Sequence, residues 1–222
     1  MKISHFIGVL FCSGVLSGCV TPIALEKQVP SAEYVPAGKV AIAVVDHRDR
    51  VLKGGKPPTY IGKAHGAFGI PADWHVKQVL STEEGDKDRT LAEFIQNRLV
   101  TGLARSGWNV ESVDPVRDDV TLNPIPALQT SGADKLLVLE LKEWYFSINL
   151  NWVTAFNFDT DVNVMVTPGE SGDTFNKKIK DRDVIDEEAN QSPQNLIFQA
   201  YRAQLLQILM DPDVRSALVN RQ

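Results

Sequence analysis

Between residues 152 and 166 the side chains alternate. Phe156, Phe158, Val162, Val164 and Val166 fall on one parity, and Asn157, Asp159, Asp161 and Asn163 on the other. A period of two is that of a strand whose successive side chains point to opposite sides of a sheet. This stretch therefore predicts a sheet with one dry face and one wet face. The dry face has to be covered, so the rest of the chain must supply elements with an apolar stripe of matching size.

Two segments do so. Thr90-Leu91-Ala92-Glu93 matches a capping box, in which the threonine hydroxyl and the glutamate carboxylate satisfy backbone N–H groups at a helix start. Leu91, Phe94, Ile95, Leu99 and Leu103 then recur at helical spacing, and Gly107 supplies a left-handed stop. The pattern predicts a helix over 91–106. Ser192-Pro193 opens a second long helix, with proline where its missing N–H costs little, and Ile197, Tyr201, Leu205 and Ile208 line one side of it. Asp211-Pro212 interrupts this helix, and a last turn follows over 213–219.

The remaining strands read less evenly. Val40-Ala41-Ile42-Ala43-Val44-Val45 is apolar throughout, as expected of a central strand covered on both faces. Further strands are predicted over 108–113, 136–148 and 174–185, the last carrying the edge-type lysines Lys177, Lys178 and Lys180, and a short helix over 125–131. Glycines and prolines break up residues 48–88, where only 74–80 suggests a short strand. Joining the first two strands through a helix favours a parallel pair, whereas the tight turns near the end favour antiparallel ones. The expected fold class is α/β: a two-layer sandwich, with a mixed sheet of about five strands and two long helices packed on one face.

The first residues form an address. Lys2, an apolar run from Phe6 to Leu16 and the small residues Ser17 and Gly18 precede Cys19. The run is too short to span a bilayer, which takes about 20 apolar residues. Leu16-Ser17-Gly18-Cys19 resembles the lipobox of bacterial lipoproteins. That resemblance implies acylation of Cys19 after removal of 1–18, and Val20, in place of an aspartate, implies the outer membrane, facing the periplasm. Residues 19–38, with Pro22, Pro30 and Pro36 and no hydrophobic period, read as the lipidated cysteine and a flexible tether. At about 3.1 Å per residue such a tether reaches roughly 60 Å. Residues 39–222 are then one periplasmic domain. Cys12 leaves with the signal and Cys19 carries lipid, so no intramolecular disulfide is expected.

Composition narrows the function classes. Of 222 residues 43% are hydrophobic and 23% charged, enough apolar matter for a core. The 23 lysines and arginines against 28 acidic residues give a net charge of −5, and the basic residues are scattered, which argues against nucleic acid as a partner.

The chain shows no His-Glu-x-x-His, paired cysteines, nucleophile elbow or phosphate-binding glycine loop. His47, His65 and His75, near Asp46, Asp49 and Asp73, form the one cluster worth testing for a metal or small ligand. Asp46, Arg48 and Asp49 follow a buried strand, where such groups usually pair with each other or cap a helix. Trp144, Phe146 and Trp152 crowd a turn and are expected to surround an exposed, partner-binding tip.

Val44-Val45-Asp46-His47-Arg48-Asp49, Ser106-Gly107-Trp108-Asn109-Val110, the meander and the final amphipathic helix together resemble the YajG-like group of small bacterial lipoproteins. The resemblance covers most of the mature chain and implies an envelope protein anchored to the membrane by lipid, without assigning chemistry. The expectation is a non-enzymatic accessory module without cofactor that binds another envelope protein. The alternative is a domain binding a small ligand or metal through residues 47–75.

Overall fold

The computed structural model describes residues 21–66, 69–115, 120–149, 155–169, 173–186 and 191–219. The elements run α1 (Leu25–Gln28), β1 (Lys39–Asp46), α2 (Asp49–Leu52), β2 (Tyr60–His65), β3 (Pro71–His75), α3 (Val76–Val79), α4 (Leu91–Arg105), β4 (Asn109–Ser112), α5 (Ile125–Ser131), β5 (Lys135–Asn149), β6 (Ala155–Pro168), β7 (Phe175–Asp186), α6 (Pro193–Met210) and α7 (Pro212–Val219).

All seven strands join one mixed sheet built around β5, which has 15 residues. Along one edge, β5 pairs antiparallel with β6, which pairs with β7. Its other edge is shared by two parallel partners: β1 lies beside residues 135–141 and β2 beside 146–149. The edge strand β4 is parallel to β1, and β3 folds back on β2. The sheet therefore exceeds the expected five strands by β2 and β3, both from the segment that glycines and prolines made unreadable. Gly62 shows why a glycine stands inside a strand there: a Cβ at this position would run into the carbonyl and ring of Phe146 on β5. Of the stretch 74–80 expected as a short strand, only Trp74 and His75 are strand, at the end of β3. β3 ends at His75, whose N–H donates to the Gln78 side chain at 3.1 Å as the helical turn α3 begins.

The helices start as their caps dictate. The Glu93 N–H donates to the Thr90 hydroxyl at 3.3 Å, the Thr90 N–H donates to the Glu93 carboxylate at 2.7 Å, and the Ser192 hydroxyl accepts from the Asn195 N–H at 3.2 Å. The long helices α4 and α6 cover one face of the sheet and close the main core, with Phe94 and Phe198 in contact beneath them. On the other face, Ala127 and Leu128 of α5 pack with Ala41, Ala43, Leu136 and Val138. The first strand is thus buried on both sides, as its sequence requires. The β6–β7 region leaves its second face to water, where Arg182 pairs with Asp159 and Lys178 with Asp161.

The tether expected before residue 39 is instead part of the fold where it is described. Val29, Ala32 and Tyr34 are buried. The Tyr34 hydroxyl donates to the Leu209 carbonyl at 2.7 Å, Trp108 Nε1 donates to the Tyr34 carbonyl at 2.6 Å, and Arg202 Nε donates to the Val29 carbonyl at 3.0 Å. Residues 23–34 form a strap over α4 and α6. Its apolar side chains are too sparse to show a period, yet Val29, Ala32 and Tyr34 are buried, while Ala24 stays exposed. Residues 1–20, Cys19 among them, lie outside the described part.

Candidate functional site

The site grows from the point where β1 stops and β2 takes over its edge of β5. The sheet opens there, and Arg48 fills the opening with a guanidinium that is 0% exposed. Its Nε and Nη2 donate to the two oxygens of Asp46 at 2.8 and 2.7 Å. Its Nη1 donates to the Tyr60 carbonyl at 2.8 Å and the Trp144 carbonyl at 3.3 Å. One side chain thereby satisfies a carboxylate and two strand carbonyls at the handover. Asp46 and Arg48 do pair with each other, as the sequence reading favoured.

His47, between them, turns to the opposite side and meets Glu140 at 2.6 Å through Nδ1. Burial pushes the Glu140 carboxyl up, but hydrogen bonds from Lys142, His47 and Asn163 outweigh it and hold the group below the usual carboxylate range.

Beside this junction, at the carboxyl ends of the parallel strands β1 and β4 and against the first turns of α4, opens a cleft of about 690 Å³. Open α/β sheets receive ligands at such strand ends. Val44, Val51, Val100 and Val113 contribute apolar wall, and Leu52, 62% exposed, stands at the rim. Its polar groups are largely engaged within the fold. Gln96 accepts the Val44 N–H at 2.7 Å and donates to the Ser112 hydroxyl and, at 3.1 Å, to the Val113 carbonyl. Asp46 is held by Arg48, and Glu93 by the Thr90 cap. The cleft thus sets apolar wall beside polar groups that are already bonded within the fold.

The other sequence-derived sites fare differently. His65 pairs with Pro71 at one end of the β2–β3 hairpin and His75 with Tyr60 at the other, about 16 Å apart along the strand. His75 packs edge-on against Tyr60 at 5.9 Å and lies 3.2 Å from the Thr59 hydroxyl. Only His47 of the three lines the cleft. The histidine cluster is therefore not assembled, and among the described residues no three His, Cys, Asp or Glu side chains stand together as a metal site.

Trp144 and Phe146 do not form an exposed tip. Both are fully buried, Trp144 against Phe158 and Tyr201 at 5.4 and 5.3 Å, and Phe146 against Phe156 and Trp74 at 5.6 and 5.7 Å. The reason is a β-bulge between Leu141 and Glu143, where Lys142 is the extra residue. Before it, Leu137, Leu139 and Leu141 face the helices. After it, Trp144, Phe146 and Ile148 do. The Trp144 N–H at the bulge donates to the Glu143 side chain at 3.0 Å. Trp152 lies outside the described residues.

The buried role of Arg48 was the part of the site that sequence reasoning did not place. Its signal was an arginine two residues after an aspartate at the end of an all-apolar strand.

No protein-family model matches the chain, and no curated protein matches it. Its fold is similar to that of several solved bacterial proteins. Protein XCC0632 from Xanthomonas campestris, of family DUF330, overlays with a TM-score of 0.47 at 9% identity, covering 82% of this chain and 88% of that one. The hypothetical protein CT253 from Chlamydia trachomatis gives 0.41 at 13%, covering 76% and 93%. The lipoprotein GNA1162 from Neisseria meningitidis gives 0.36 at 12%, covering 78% and 99%. No helix among the described residues is long and apolar enough to cross a membrane.

Proposed function

We propose that this chain is an outer-membrane lipoprotein, acylated at Cys19 and facing the periplasm, whose domain is a non-catalytic module that binds another envelope protein. It would thus belong beside the YajG-like lipoproteins it resembles. Leu16-Ser17-Gly18-Cys19 followed by Val20 supports the anchor and its address.

The observation that carries the binding reading is the cleft at the ends of β1 and β4, which joins apolar walls to polar groups already engaged within the fold. A partner side chain gains by burying apolar surface there without breaking the internal bonds.

Photo-crosslinking in intact cells tests it, with the reactive residue at Leu52 on the cleft rim and a control at Val184 on β7, each 62% exposed. One abundant envelope protein joined through position 52 and absent at 184 is the expected result. Equal, non-specific adducts at both positions would falsify the binding-module reading. The anchor is tested separately, by the mass of the N-terminal peptide and by release of a Cys19→Ser variant from membranes. A second reading rests on His47, whose place on the cleft wall would also serve a small organic ligand. Native mass spectrometry of the domain taken from cells would show that adduct directly.

A further inference from the structure

We infer that the end of the domain where α6 begins is its membrane-facing end, seated on the lipid headgroups and not suspended above them. The inference rests on acylation of Cys19 and adds to it an orientation and a contact surface. The Asn195 side chain grips the chain twice where it enters the fold: Oδ1 accepts the Ile23 N–H at 3.0 Å and Nδ2 donates to the Thr21 carbonyl at 3.3 Å. From Thr21 to Cys19 is two residues, a reach of about 7 Å at full extension. The headgroup layer on one side of a bilayer is itself about 5–8 Å thick. A cysteine whose acyl chains lie in hydrocarbon therefore brings Asn195 to the headgroup surface. The strap removes the slack that a free tether of residues 19–38 would have left.

The surface beside Asn195 fits that placement. A shallow groove of about 490 Å³ runs between the first turn of α6 and the β2–β3 hairpin, with Trp74, Val79 and Pro193 in its walls. Ile70, at the hairpin tip, is 66% exposed, and Trp74 is half-buried. A tryptophan and an exposed isoleucine are groups that gain from the boundary between headgroups and water. Val35, 52% exposed, lies beyond Tyr34, which is bonded to Leu209 near the far end of α6. The 18 residues of α6 put roughly 27 Å between the two ends.

The test uses the full lipidated protein in phosphatidylethanolamine–phosphatidylglycerol vesicles that carry headgroup-level nitroxide lipid. With Cys19 acylated, Ile70→Cys or Val35→Cys supplies the one free thiol for a fluorophore. Quenching at position 70 severalfold stronger than at 35 is expected. Inserting ten Gly-Ser residues between Val20 and Thr21 should bring it down towards the value at 35, while the protein still floats with the vesicles. Equal, weak quenching at both positions in a protein that floats would overturn the orientation and leave the anchor standing. A protein that does not float and has an unmodified N-terminal mass would remove the anchor, and the orientation with it.

Discussion

A guanidinium with no exposed surface is a costly thing to bury, and Arg48 persists because every direction it faces holds an acceptor: two Asp46 oxygens and the Tyr60 and Trp144 carbonyls. Arg48→Met removes the side-chain donors, leaving the Asp46 carboxylate only the backbone N–H of residue 48, at 3.2 Å, and taking a donor from two strand carbonyls, so urea unfolding should show a loss of about 3–5 kcal/mol. Arg48→Lys should also destabilise, because an ammonium cannot present the fork that reaches both oxygens of Asp46.

Glu140 makes a second residue-scale prediction. Its carboxyl is held below the ordinary glutamate value of 4.5 in the fold. Below 4.5 the unfolded chain therefore binds the proton first, and stability falls as pH drops from there through the folded value. A Glu140→Gln variant should lose this part of the acid-side slope when unfolding is followed between about pH 6 and 3. At this scale the sequence exposes pairing but not burial. Asp46 and Arg48 were legible as partners, whereas the gap they fill comes from where β1 and β2 meet on β5, a non-local fact.

Elements were legible where one local signal sufficed. The α4 helix follows from its capping box and stripe, and β1 from an unbroken apolar run. Three features needed information from elsewhere in the chain. The bulge at Lys142 reverses the parity of β5, so a periodicity taken straight through it turns Trp144 and Phe146 outward. Gly62 reads as a break until β5 presses against it. The strap shows no period because its cover is two helices more than 50 residues away.

Gly102 marks that last contact on α4. A Cβ there would collide with the Pro30 carbonyl and ring. Gly102→Val should therefore lift the strap, with limited proteolysis reaching residues 23–36 much faster than in the wild type and a loss of about 1–3 kcal/mol. Unchanged protection would mean that α4 and the strap can separate without cost.

For the whole molecule, the strap decides what counts as the domain. A boundary drawn at residue 39 is what composition suggests, because the sheet begins there. The packing puts it near Ile23, since α4 and α6 share an outer groove that Val29 and Tyr34 fill. Burying those two side chains contributes about 4 kcal/mol before the cost of ordering the segment, and that cost offsets part of it. A soluble form beginning at Val20 should unfold in one cooperative transition and stay monomeric. A form beginning at Lys39 should be about 2 kcal/mol less stable and should scatter light at concentrations where the longer form does not, because the uncovered groove is an apolar patch on both long helices. If the two forms unfold at the same urea concentration, the strap is only laid on the domain. The short reach from Thr21 to Cys19 would then no longer hold the fold against the bilayer, since the strap could peel away and restore the long tether that the sequence suggests.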